Sequence, residues 1–309
     1  MGRCVIDAHS HLPVEPPVEP GDLVRELSRA GIRGAVILGV PPARDVLARV
    51  SYESIVGEYQ RTRHVIERYA PDLREALRPE ALYLSVAELL RRYGQLCRLP
   101  PRGGGYAILA AADLSMPPDE LAERLERLAA EGYAGFKVIS TLQFRFLDDP
   151  AVEAVLEVAE SRGLPVVVHA GCDPGIWELP RYCRYGDPSR LEPLLRRHRD
   201  VSIIIAHMGG YSAIAPGIFT EEAVGLARRF GNVYLDTSAV PGFLVKRVAR
   251  SVPKGRILFG TDYPVINHDD VRGLVYIVER ALRAAGYGER DIEEAFHGLA
   301  EELFGVRCP

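Results

Sequence analysis

Eight short β-branched runs, each followed by a stretch of helical period, constrain this chain more than any other feature. They fall at Cys4–Ala8, Gly34–Val40, Tyr106–Ala111, Gly135–Ile139, Val166–His169, Val201–Ala206, Val233–Asp236 and Ile257–Phe259. A run such as Val201–Ile205, apolar but for Ser202, suits a strand covered on both faces, as in a parallel sheet. The intervening helices carry clear punctuation. Asp149 precedes Pro150 and Gly163 follows the apolar face Val152, Val155, Leu156 and Ala159. Asp187-Pro188 repeats the device ahead of Leu191, Leu194 and Leu195, and Leu121, Leu125 and Leu128 stripe an earlier helix. An open sheet this long would leave two edges, so the pattern predicts an α/β fold of the closed (β/α)8 TIM-barrel type.

Such a barrel uses about 250 residues, and this chain has 309. The surplus falls between the second and third strands. Residues 44–104 hold only helical signals (Val46, Leu47 and Val50, then Tyr59 to Tyr69, then Ala87 to Leu96) and close on Pro100, Pro101 and Gly103–Gly105. Sixty-one residues is too long for a structureless loop. We therefore expect one domain, 1–309, with 44–104 as an inserted helical lid at the carboxyl end of the barrel. The insertion has eleven arginines against eight acids, a solvated helical surface that would also tolerate an anionic substrate.

Composition narrows the function. With 47% apolar residues, folding at this size buries roughly 74% of the unfolded chain's surface, ample for a large core. A net charge of −4 with no basic stripe disfavours nucleic acid as partner. No apolar run approaches membrane-spanning length, and no charged-then-apolar leader precedes the first strand. Cys4, Cys97, Cys172, Cys183 and Cys308 lack C-x-x-C spacing and read as reduced thiols of a cytoplasmic protein.

Barrel enzymes place their chemistry at the carboxyl ends of strands. Here those ends carry His9 and His11, which alternation turns to one side of the first strand, then Lys137, His169, His207 and Asp262. Neutral imidazoles with a carboxylate suit a borderline divalent transition metal, zinc first among them, better than Mg²⁺ or Ca²⁺. A catalytic site keeps a position open for water, and Asp262 is the candidate base beside it. Only three of the 38 basic residues are lysine, so Lys137 at a strand end stands out. Trp177, Arg181, Tyr182 and Arg184 in the long loop 171–187, with Gln143, Phe144, Arg145 and Tyr211, are candidates to line a pocket for a small organic acid.

Asp-Ala-His-Ser-His, Val-His-Ala-Gly, Ala-His-Met-Gly-Gly and Gly-Thr-Asp-Tyr-Pro, in that order, resemble the amidohydrolase superfamily, and within it the amidohydrolase-related (amidohydrolase 2) branch. The resemblance spans residues 4–305 apart from the insertion. It implies that His9, His11 and His169 are metal ligands and that Asp262 is a ligand and proton shuttle. It makes His207 either a second metal's ligand or the group that polarises substrate or water. It also implies either a CO₂-carboxylated Lys137 bridging two ions or an unmodified lysine beside one ion. The family often reads His-Gly-Asn-Ala near the C-terminus, where this chain has His297-Gly298-Leu299-Ala300. That departure leaves the metal site intact and weakens any subfamily assignment.

The expected function is a metal-dependent hydrolase that uses activated water on an amide, ester or lactone-type bond. The alternatives are a non-oxidative decarboxylase of an aromatic or unsaturated acid at the same site, and a non-catalytic metal-binding barrel. Barrel enzymes of this kind often associate, so a homo-oligomer is expected without a defined interface.

Overall fold

The computed structural model describes residues 3–308 except 13–18, 70, 72–73, 76–77, 83–100, 104, 174 and 266–269. All eight expected strands form: β1 Ile6–Ser10, β2 Gly34–Leu38, β3 Tyr106–Ala111, β4 Phe136–Val138, β5 Val166–Val168, β6 Ile203–Ile205, β7 Val233–Asp236 and β8 Ile257–Leu258. Each pairs in parallel with the next in chain order. The ring is closed by backbone bonds from beyond β8 to β1: Ala8 N–H to Phe259 O at 2.9 Å, Asp262 N–H to His9 O at 2.8 Å and His11 N–H to Tyr263 O at 2.7 Å. A two-residue strand, Arg102–Gly103, adds antiparallel to the start of β3.

Period-two alternation sorts each strand between two cores. Ile37, Ile108, Phe136, Val138, Val166, Val168, Ile203, Ile205 and Leu235 pack outward against helix residues such as Leu121, Leu125, Val152 and Leu195. Val36, Leu109, Val167, Ile204 and Leu258 face inward and join Leu299, Ala300, Phe304 and Val306 of the C-terminal helix and tail. Lys137, between the outward Phe136 and Val138, is thereby turned into the barrel.

The predicted helix signals act as expected. Asp149 accepts from Ala151 N–H at 2.9 Å at the start of the helix Pro150–Arg162, and Gly163 (φ +62°) ends it. Asp187 accepts from Ser189 N–H at the turn Pro188–Leu191 that leads into the helix Glu192–Arg197.

The insertion begins with helices Arg44–Arg49 and Tyr52–Tyr69; the helix expected at 87–96 lies outside the described residues. Ala43, Val46, Val50, Ile55, Ile66 and Leu82 share a core with Ile139, Leu142, Phe144, Ile176, Trp177 and Tyr182, from the loops that follow β4 and β5. Arg145 reaches Asp45 at 3.2 Å, and Arg181 reaches Glu58 at 3.5 Å. The described part of the insertion therefore packs on the loops at the carboxyl ends of β4 and β5. Several of its arginines pair within helical spacing, among them Arg49 with Asp45, Arg63 with Glu67 and Arg78 with Glu75.

The cysteines correct the sequence reading. Cys4 pairs with Cys308 (Cα–Cα 6.2 Å) and Cys172 with Cys183 (5.0 Å), while Cys97 lies outside the described residues. Spacing along the chain carried no trace of this. Cys4 precedes β1 and Cys308 follows the C-terminal helix whose Leu299, Ala300 and Phe304 join the barrel's inner core, and the loop after β5 folds back on itself. The argument for a reducing compartment falls with it. Among the described residues no helix is long and apolar enough to cross a membrane.

Candidate active site

β1 delivers two imidazoles because its pairing with β2 shifts register between Asp7 and Ser10. His9 and His11 both turn toward Asp262: their Nε2 atoms lie 3.5 and 3.2 Å from Asp262 Oδ1. Glycine at 260 is required beside them, since a Cβ there would lie 2.8 Å from His9 Cβ. Asp7, fully buried, braces the same corner by accepting from His9 N–H, Thr261 N–H and Thr261 Oγ1–H. Burial raises its carboxyl to about 7, against those hydrogen bonds.

The other ring nitrogens fix the tautomers. His9 Nδ1 donates to Asp236 Oδ2 at 2.8 Å and His11 Nδ1 to Leu38 O at 2.9 Å, so each Nε2 presents its lone pair. His207 Nδ1 lies 2.8 Å from Ser238 Oγ, and its Nε2 lies 3.1 Å from His169 Nδ1. His169 Nε2 is 3.3 Å from Asp173 Oδ1 without the alignment of a hydrogen bond. Burial holds His9 and His207 far below the usual imidazole value and His169 at about 3, so all three are neutral.

Two strand-end residues hold left-handed backbone: His207 at φ +57° and Asp262 at φ +65°. Such conformations cost about 1–3 kcal/mol each and persist where the surroundings over-determine them. His207 is held by its N–H donating to Asp236 Oδ1 at 2.9 Å, and Asp262 by its N–H on His9 O.

His9, His11 and Asp262 thus bring one ligand atom each within 4.8 Å of one another, and His9, His207 and Asp236 do the same. His169, expected beside His9 and His11, is in neither group: its Nδ1 meets His207 Nε2 at 3.1 Å. Lys137 Nζ is buried, without a hydrogen-bond partner, and burial lowers the amine to about 8 while Asp236, Asp262 and Asp173 pull it upward.

Sequence reasoning missed Asp236, although it closes β7 at the same barrel end as the chosen residues. It missed Ser238 and Asp173 because they lie in loops with no motif. It also overreached on the pocket lining. Gln143 is buried and spent on Leu114 N–H, Ala112 O and Ile139 O. Phe144 stacks on Tyr182, Trp177 is core, Arg145 and Arg181 pair with the insertion, and Arg184 lies exposed over Tyr185. Of that group only Tyr211 lies against the histidines, its ring 4.8 Å from His207 and 5.6 Å from His169. His64 is exposed, His198 bonds Glu160, His297 lies 3.9 Å from Glu301, and His268 lies outside the described residues.

Similar solved structures cover the chain almost completely. They include 5-carboxyvanillate decarboxylase from Sphingomonas paucimobilis (16% identity, TM-score 0.59, 99% of this chain and 100% of that one). A dihydroxybenzoic acid decarboxylase from Polaromonas sp. JS666, with bound manganese and 2-nitroresorcinol, gives 16% and 0.59 over 99% and 98%. A probable 2-pyrone-4,6-dicarboxylic acid hydrolase from Acinetobacter baumannii, with citric acid bound, gives 13% and 0.55 over 97% and 99%. At such identities they establish the TIM-barrel fold. No curated protein sequence matches significantly. The family model Amidohydro_2 (Amidohydrolase) matches residues 6–306, which takes in every strand and every residue of the cluster: the chain belongs to the amidohydrolase-2 family.

Proposed function

We propose that this protein is a divalent-metal-dependent, non-oxidative decarboxylase of a small aromatic carboxylic acid. One observation carries the reading: His9 Nε2, His169 Nε2 and Lys137 Nζ are buried without hydrogen-bond partners in the cluster that holds Asp262. Orphaned buried nitrogens cost stability unless a ligand completes them. Two neutral imidazole lone pairs, a third from His11 and one carboxylate fit a transition ion such as manganese or zinc. His9, His11, His169 and Asp262 would hold it, and when bound it would supply positive charge to bind and polarise an acid. His207 lies beside them as a substrate-facing group, and an unmodified Lys137 balances the carboxylates.

Decarboxylation asks one proton of the protein. Asp262 in its acid form gives it to the ring carbon that bears the carboxylate; the bond to the carboxylate then breaks, its electrons restore the ring, and CO₂ leaves. His11 Nε2 and Asp262 Oδ1 lie 3.2 Å apart, close enough to share one ion. The described part of the insertion shares an apolar core with the loops after β4 and β5 at this end of the barrel and would help to keep water from the proton transfer.

The decarboxylases among similar structures favour this reading over hydrolysis. Hydrolysis of a lactone-type bond is the second reading, favoured by the similar probable hydrolase, which is named for a dicarboxylic acid. Metal-loaded protein incubated in D₂O with 2,6-dihydroxybenzoate and related hydroxybenzoates distinguishes them. The expected result is one CO₂ per acid consumed and deuterium at the vacated ring carbon. Opening of a carboxylated lactone with no CO₂ from any aromatic acid would replace decarboxylation by hydrolysis.

Asp236 acts through His9 rather than on the substrate. It fixes the tautomer and aim of His9, and carboxylates in that position are worth about 10–100-fold in metal affinity or activity. Asp236→Asn should therefore weaken metal binding by that factor in a competition titration against a chelating dye. Unchanged affinity would show that His9 needs no such partner.

A further inference from the structure

Tyr211 is anchored more tightly than a loop residue needs to be. Cys172 N–H donates to its carbonyl at 2.7 Å, and Gly171 pairs with it in an isolated parallel bridge. A Cβ on Gly171 would lie 2.1 Å from Tyr211 O, and one on Gly186 would lie 1.9 Å from Gly171 O, so both approaches require glycine. Directly after Tyr211, the buried Glu178 carboxyl accepts from Ser212 Oγ and Ala213 N–H, each at 3.0 Å. The loops after β5 and β6 together fix the tyrosine backbone and so aim its ring across His207 and His169.

The hydroxyl at the end of this ring is anomalous. Tyr211 is 4% exposed, and its Oη has no hydrogen-bond partner. A buried phenol loses its hydration without return unless something arrives to accept from it. A phenol carries its proton at neutral pH, so this hydroxyl is an O–H donor. Lys137 Nζ, also buried and unpartnered, supplies a positive charge in the same interior. A fixed donor and a buried amine, both without partners, match an anion.

We infer that the Tyr211 hydroxyl is a substrate-binding donor that accepts an anionic oxygen of an aromatic acid into the site and selects carboxylates over their neutral analogues. The identity of the acid rests on the decarboxylase reading; the donor role concerns binding alone.

The test is calorimetric binding to full-length, metal-loaded protein, wild type and Tyr211→Phe, with 2-hydroxybenzoate and with the neutral 2-hydroxybenzamide. Losing a hydrogen bond to a charged group should weaken the carboxylate about 10–100-fold in Tyr211→Phe. The amide should change less than about 3-fold, since the ring and its packing remain. Equal affinity of both proteins for the carboxylate, or an equal loss for both ligands, overturns the inference; the second result would mark a packing role. Metal content and melting temperature of Tyr211→Phe, expected to match wild type, verify that the ring is still in place, and a Tyr211→Leu variant that loses both ligands equally supplies the pattern of a packing defect. If the wild type binds these acids but decarboxylates none, the decarboxylase reading fails while the donor role stands. If it binds no aromatic carboxylate at all, the inference fails as well.

Discussion

Asp262→Asn should lower turnover by at least about 10³-fold while leaving the protein folded. General acid–base transfer by a positioned side chain contributes about 10²–10⁴-fold, and in the proposed site this residue would also help to hold the metal. Asparagine keeps the shape that sits 3.2 Å from His11 Nε2 and 3.5 Å from His9 Nε2, yet it carries no proton to give to a ring carbon. The left-handed backbone at this position, φ +65°, is one that asparagine tolerates well, so the fold should be unharmed. Steady-state CO₂ release and the urea unfolding midpoint, measured together, separate the two effects. A variant that keeps more than a few per cent of wild-type turnover would place the proton donor elsewhere.

Removal of the metal should abolish activity as completely as loss of Asp262, and reversibly. Dialysis against a chelator should leave the protein inactive, and adding back Mn²⁺ or Zn²⁺ should restore turnover. Bound metal at about 1,000 times its dissociation constant stabilises the native state by about 4 kcal/mol, so the apo protein should melt several degrees lower. His11→Ala, which removes one nitrogen from the cluster, should fail to recover activity at metal concentrations that saturate wild type. The ion count also decides the role of Lys137. One metal per chain in both wild type and Lys137→Met fits an unmodified lysine; two in wild type and one in the variant fits a carboxylated bridge, and would favour hydrolysis over decarboxylation. Turnover that survives exhaustive chelation would refute a metal enzyme.

Much of this was legible in the letters. A strand that must face helices outside and core inside writes itself as an apolar run, and all eight runs became strands within two or three residues of their expected ends. A closed ring of parallel strands points every carboxyl terminus the same way, so residues at strand ends converge by symmetry alone. That is why His9, His11, His169, His207, Lys137 and Asp262 could be chosen together from a single sequence. The pocket lining had no such rule behind it. Arginines and aromatics in loops serve equally to pin an insertion, and Arg145, Arg181, Phe144 and Trp177 do that here.

By itself, then, the sequence determined the architecture and the roster of strand-end groups, because both follow from local period and from the polarity of a parallel strand. Only the tertiary structure decided which partners those groups have. Asp236 reaching His9 across 227 positions, Cys4 meeting Cys308 across 304, and the loops that wedge Tyr211 against His207 are contacts between segments remote in sequence. No local pattern encodes such contacts, since they exist only once the folded barrel has brought these segments side by side.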